Sequence, residues 1–224
     1  CVVLLALDHP ESIATLTNGP DADWGLSFEQ SLAIAIDNLR DSADHVVEVA
    51  PGVHGGAWED GYDISRALLP DMLERVAVRG RPVFMMPTRD LLLVSGDNDD
   101  AGLLKMMELS QQVVAHGRPV SPYMYHYGET GVERYLPRQE RIIHLQAHLA
   151  RVLAQGDYDA QKEALDRLHE ERGIDVFVAT YNLFMQNDDS ATSFSLATWT
   201  RGVDTSLPKV DRLALVRPEA NDDI

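Results

Sequence analysis

Residues 60–66 run Asp60-Gly61-Tyr62-Asp63-Ile64-Ser65-Arg66, which puts a carboxylate, a phenol and a guanidinium inside one turn. Such a set can bind a ligand, hold a proton or form an internal ion pair. A second polar group, Arg89-Asp90, interrupts two apolar runs, residues 83–86 and 91–94. Tyr62, Asp63, Arg66, Arg89 and Asp90 are therefore the candidate binding residues, with no catalytic role assigned to any of them. The competing reading is structural: partly buried Asp–Arg pairs commonly lock turns, here Arg66 through Asp63 and Arg89 through Asp90.

Other spacings that could do chemistry are better explained by structure. His144 and His148 stand four apart, as two zinc ligands on one helix face would, but Leu145-Gln146-Ala147 lacks the glutamate of a metalloprotease, so both read as exposed helix histidines. Asp97, Asp99, Gly102 and Glu108 fall at positions 1, 3, 6 and 12 of a calcium loop; Ala101 spoils position 5, and helix capping is the expectation. Gly52-Val53-His54-Gly55-Gly56 could pass for an oxyanion-hole loop, yet without a nucleophile elbow it reads as a flexible connection. Trp199 reads as core and Lys209 as an isolated charge. No phosphate-binding glycine loop and no dinucleotide fingerprint occurs, and neither a metal nor a cofactor is expected.

The elements that must position these groups follow from periodicity. Residues 83–86 and 91–94 predict a central β-hairpin around the four-residue loop 87–90, with Arg89 at its rim. Hydrophobicity there is continuous rather than alternating, so both faces should be covered, by helices or by a second sheet. Upstream of the hairpin, a short turn should reach Leu69 and a helix should begin at Pro70, since proline suits the first helical position. Nearer the N-terminus, residues 2–7 predict a buried strand, 12–17 its hairpin partner and 18–21 a turn. Ser27 with Gln30 makes a capping box for a helix that aligns Phe28, Leu32, Ile36 and Leu39. Residues 46–49 predict a strand, and a helix starting at the acidic run 97–100 should reach His116 and stop at a left-handed Gly117. Residues 123–127 predict a further strand.

The combination Asp60-Gly61-Tyr62-Asp63-x-Ser65-Arg66-x-Leu68-Leu69-Pro70, then Met86-Pro87-Thr88-Arg89-Asp90-Leu91-Leu92-Leu93, resembles the YtpQ-like family of bacterial proteins, a domain of unknown function. Trp24-Gly25 and the helix end Asp37-Asn38-Leu39-Arg40 look like the same family. The likeness covers about residues 1–137, and Thr88 stands where that family usually has Asn. It implies a soluble bacterial protein and brings no activity with it.

After residue 137 the expectation is a helical hairpin that turns at Gly156-Asp157, then an antiparallel meander of residues 175–185, 192–200 and 210–216, then a polar tail at 219–224. The fold class is thus α+β: a mixed, mainly antiparallel sheet with flanking helices over 1–137, and the hairpin with its meander over 138–218, sharing one interface with the first part.

Composition limits function more than it reveals it. Nineteen basic and 36 acidic residues give a net charge of −17 and a pI near 4.7. That field repels nucleic acid and anionic lipid and favours a basic protein partner. The single cysteine, Cys1, rules out an internal disulfide and suits a reducing, cytoplasmic setting. The opening apolar run is too short to span a membrane, and a chain starting inside a strand without Met reads as an N-terminally incomplete fragment. A non-catalytic binding or accessory protein, an adaptor or immunity-like, is the leading expectation. A hydrolase or transferase using Asp63, Arg66, Arg89 and Asp90 is the alternative.

Overall fold

The computed structural model describes residues 3–9, 11–41, 46–56, 58, 60–186 and 192–217. Among them the chain runs β1 (Leu5–His9), β2 (Ser12–Leu16), α1 (Phe28–Asp41), β3 (Val46–Ala50), β4 (Val53–Gly56), α2 (Pro70–Leu73), β5 (Pro82–Thr88), β6 (Leu91–Gly96), α3 (Asp100–Val114), β7 (Met124–Gly128), β8 (Gly131–Arg134), α4 (Glu140–Arg172), β9 (Phe177–Val178), β10 (Asn182–Met185), β11 (Ser193–Thr200), β12 (Thr205–Ser206) and β13 (Arg212–Val216). Two 3-10 turns, Ala22–Trp24 and Asp63–Leu68, join them. The fold is α+β. Its centre is a six-stranded sheet in the order β3-β4-β6-β5-β7-β8, with every neighbouring pair antiparallel. No helix among the described residues is long and apolar enough to cross a membrane.

β5 and β6 form the expected hairpin, and they are apolar on both faces because both faces are covered. Val83, Met85 and Leu93 pack under α3 and α4 with Leu103, Met106, Met107, Ile142 and Leu149. On the opposite face Phe84, Met86, Leu92 and Val94 meet Ala67 and Leu73, with Trp58, Ile64 and Met72 beside them. Burying each such side chain contributes on the order of 1.5–3 kcal/mol, so this double layer holds the fold. Pro70 opens α2 as its first residue, as its fixed φ favours. Ser27 and Gln30 make the reciprocal cap of α1: Ser27 N donates to Gln30 Oε1 at 2.9 Å, and Gln30 N to Ser27 Oγ at 3.3 Å. The acidic run before α3 is a cap rather than a calcium loop. Asp99 accepts from Gly102 N at 3.0 Å, and Asp97 accepts from Arg81 N at 2.8 Å and from Arg81 Nε at 3.0 Å.

Several expectations are corrected. The hairpin tip is two residues rather than four, because β5 continues to Thr88 through a register shift after Met85. Proline has no N–H to give a ladder, and Pro87 sits inside that irregularity, where β6 asks none of it. β1 is exposed apart from Leu5. The glycines 55 and 56 belong to β4 and are not a flexible approach. Gly117 takes no positive φ; its small size matters instead, since a Cβ there would lie 2.7 Å from Thr88 Cγ2. Residues 131–134, read as part of a connection, add the edge strand β8.

The largest correction is α4, one helix of 33 residues where a helical hairpin was expected. An interior glycine costs a helix about 1 kcal/mol against alanine, too little to break one anchored on both sides of Gly156. The N-terminal part packs Ile142 and Leu149 into the main core. The C-terminal part is tied to the last strands: Lys162 Nζ donates to Val178 O at 2.8 Å, and His169 Nδ1 lies 2.9 Å from Val176 O. The C-terminal strand meander is present, but its middle strand β11 pairs antiparallel with β10 and parallel with β13. The run 175–185 divides into β9 and β10, which join different sheets. Trp199 is 43% exposed and is not core; its Nε1 donates to Val203 O at 3.1 Å. The tail at 219–224 lies outside the described residues.

Candidate functional site

The turn after β4 is built around Arg66. Asp60 accepts from Arg66 Nη1 at 3.0 Å and from Nη2 at 2.6 Å, a two-point grip. Asp60 Oδ1 also accepts from Tyr62 N at 2.9 Å, an Asx turn across the left-handed Gly61. Trp58 lies over the guanidinium, its ring centroid 4.2 Å from the central carbon. Gly56 makes room for that ring, since a Cβ there would fall 1.9 Å from it. The partner of Arg66 is thus Asp60 and not Asp63, because the Asx turn swings the Asp60 carboxylate back over the 3-10 segment. The Arg66 guanidinium holds the Asp60 carboxyl below its ordinary range.

Arg66 is 0% exposed, so no ligand reaches it in this conformation. Asp63 is buried as well, and burial raises its carboxyl pKa, with the negative charges of Asp60 and Asp90 adding to the shift. Burial likewise raises the Tyr62 phenol, helped by Asp8 and Asp60 and opposed by Arg89. These mutual influences place all five candidate residues in one neighbourhood, where the 3-10 turn meets the tip of β5–β6. The expected Arg89–Asp90 lock is not made: Asp90 lies 3.9 Å from Arg118 Nη2, with both side chains exposed, while Arg89 N donates to Arg118 O at 2.9 Å.

Asp60 lies in the turn 60–66 that the sequence singles out but is not among the candidate binding residues, and Asp8 lies outside that turn altogether. Asp60 carried a usable signal, an Asp-Gly pair two residues before a helical turn, which is Asx-turn chemistry. Asp8 carried none, because only the placement of β1 brings it to Tyr62.

Two concavities lie along α4. A cavity of about 710 Å³ separates the end of α3 from the middle of α4, walled by Val114, Val120, Leu145, Leu149, Val152 and Met185. His148 opens onto it, with Nδ1 buried and without a hydrogen-bond partner among the described residues. Burial, with some help from the Arg151 charge, holds that imidazole below its ordinary pKa. His144 and His148 are therefore partly buried and not the exposed pair expected. The stripe Leu145, Leu149, Val152 was legible around His148 and could have placed it on an inward face.

A second cavity, of about 470 Å³, flanks α4 beside Arg151 and Asp211. Its charges answer each other: Asp211 accepts from Arg151 Nε at 2.8 Å, from Ser195 N at 2.8 Å and from Ser195 Oγ at 2.9 Å. Those donors, Arg151 first, hold the Asp211 carboxyl down at about 2. No group of three or more His, Cys, Asp or Glu side chains that could hold a metal ion occurs among the described residues.

Comparison with family models, with curated proteins and with solved structures found no match to this chain.

Proposed function

We propose that this protein is a non-catalytic binding or accessory protein of the bacterial cytoplasm, an adaptor or immunity-like module whose acidic surface takes a basic protein partner. One observation carries the reading: residues 1–65 hold twelve of the 36 acidic residues and a single basic one, Arg40. Glu11, Asp21, Asp23, Glu29, Asp37 and Asp41 are all exposed. A surface so one-sided speeds and orients the approach of a cation-rich partner and repels nucleic acid. The resemblance to the YtpQ-like family accords with a bacterial protein and adds no activity.

The test is a titration of isotope-labelled protein with a short Arg- and Leu-rich peptide at about 0.15 M salt, within the screening range where only real complementarity survives. Saturable shifts at Asp8, Glu11, Asp21 and Asp23, lost in an Asp21→Lys/Asp23→Lys variant, are the expected outcome. Absence of saturable binding, or shifts confined to residues beyond 137, overturns the proposal.

The alternative reading, a hydrolase or transferase using Asp63, Arg66, Arg89 and Asp90, draws on one observation, the raised pKa of the buried Asp63 carboxyl. It requires Arg66 to leave Asp60 and become accessible. Turnover of any ester or phosphoryl substrate that disappears in Asp63→Asn would favour it, and equal turnover in that variant would end it.

A further inference from the structure

We propose that two copies of this chain associate through β13, strand against strand about a two-fold axis, so that two three-stranded sheets become one sheet of six strands. β13 (Arg212–Val216) is an edge of the sheet β10-β11-β13. Its Val216 O accepts from Arg201 N, just past β11, at 3.0 Å. Successive residues of a strand turn their main-chain groups to opposite sides, so Arg212, Ala214 and Val216 serve β11 while Leu213 and Leu215 aim their N–H and C=O outward. No strand among the described residues pairs with that outer edge.

The edge is complementary to a second copy of itself. Antiparallel pairing centred on Ala214 puts Leu213 of each copy opposite Leu215 of the other, and every outward N–H of the two leucines then meets a carbonyl. In the same register residue 211 faces residue 217. The exposed Asp211 precedes the strand and the exposed Arg217 follows it, so each end sets an acid of one copy beside a base of the other. Asp211 Oδ2 is taken by Arg151 and Ser195, but Oδ1 has only the 3.4 Å contact with Arg151 Nη2 and can accept from a further donor. Leu215 is 71% exposed, and Leu213 and the cross-strand neighbour Trp199 are exposed on the same face, so the pairing buries an apolar patch from each copy.

Charge favours this edge over those of the main sheet. The whole chain carries −17, which drives copies apart, yet residues 192–217 hold four basic residues, Arg201, Lys209, Arg212 and Arg217, against two acidic ones, Asp204 and Asp211. Charged side chains blunt an exposed edge against pairing. β3 has Glu48 at its centre, so self-pairing there would set two carboxylates opposite each other, and β8 ends in Glu133-Arg134. Between Arg212 and Arg217 the edge of β13 carries no charge at all.

Sedimentation equilibrium of the full chain from about 5 to 500 μM, a range in which small interfaces dissociate, should show monomer and dimer in exchange. Leu215→Pro removes an outward N–H that the sheet within one copy does not use, and should weaken dimerisation at least tenfold with an unchanged far-UV circular dichroism spectrum. Leu213→Lys/Leu215→Lys serves if the proline disturbs the strand: it should be monomeric alone and dimerise when mixed with Leu213→Glu/Leu215→Glu. Cross-linking in a Cys1→Ser background reads the register, with Ala214→Cys expected to form a disulfide-linked dimer in air at least tenfold faster than Arg212→Cys, two residues from the axis. A monomer across the whole range, which would leave the edge to residues 218–224 or to a different protein, overturns the proposal. So does a dimer that withstands both Leu215→Pro and the lysine pair. Equal cross-linking at 212 and 214, or no dimer in the mixture, overturns the register.

Discussion

On one face of the central sheet Arg66 is taken wholly out of water, gripped at two points by Asp60 and covered by Trp58. On the other face His148 is carried into an apolar wall with its Nδ1 left without a partner among the described residues. Both are polar side chains on helical segments that pack against the same sheet, and the sequence marks both as candidates for chemistry. The difference is in how their burial is compensated. A buried charge must be paired inside the fold, whereas a neutral imidazole can be buried with one atom unmet at a cost of only about 1–3 kcal/mol. The charged cluster, which looked more like a site, is therefore the part most used up by structure. The histidine is buried with one ring nitrogen unmet among the described residues.

The comparison breaks most readily at Asp60. Asp60→Asn removes the negative charge that grips the buried Arg66 at two points and should cost about 3–5 kcal/mol, lowering Tm by roughly 10 °C in a thermal melt. Arg66→Met should cost less, because the Asp60 side chain, 30% exposed, still reaches water. If the two variants melt together at the wild-type temperature, the Arg66 cluster is not structural.

A smaller effect is expected one layer out. Gly56→Ala pushes a methyl into the Trp58 ring and should cost about 1–3 kcal/mol, with the displaced indole read as a shift in tryptophan fluorescence. Wild-type stability and an unshifted spectrum would show that Trp58 does not depend on Gly56.

On the histidine side the sign reverses. Gly156→Ala adds a methyl to open space on a helix and should raise stability by about 0.5–1 kcal/mol, seen as a higher urea midpoint at constant slope. A loss of stability would mean that the glycine serves packing after all.

The smallest effect belongs to Arg89→Met, expected within about 0.5 kcal/mol of wild type, since Arg89 is only partly buried at the hairpin tip. A fall in Tm as large as that of Arg66→Met would place both arginines in one lock.

Where one pattern dominated the physics, the elements were legible. The Ser27/Gln30 cap, the Pro70 start of α2, the Asp99 cap and the doubly apolar hairpin each followed from a local rule that tertiary contacts then reinforced. The rule at Gly156 failed because a turn residue is only a propensity, and α4 is held on both sides of it by partners distant in sequence. The parallel pairing of β11 with β13 was hidden for a related reason: a strand pattern says nothing about which neighbour it will choose or in which direction.

The candidate site divides in the same way. Composition and spacing by themselves determined the α+β class, the strong negative charge and the choice of Tyr62, Asp63, Arg66, Arg89 and Asp90 as candidates on one turn and one hairpin tip. Only the tertiary structure decided that Arg66 answers Asp60 rather than Asp63, that Asp8 joins Tyr62, and that His148 faces a cavity. Each of those depends on where a backbone turn or a distant element carries an atom to within a few ångströms, and residue order does not hold that information.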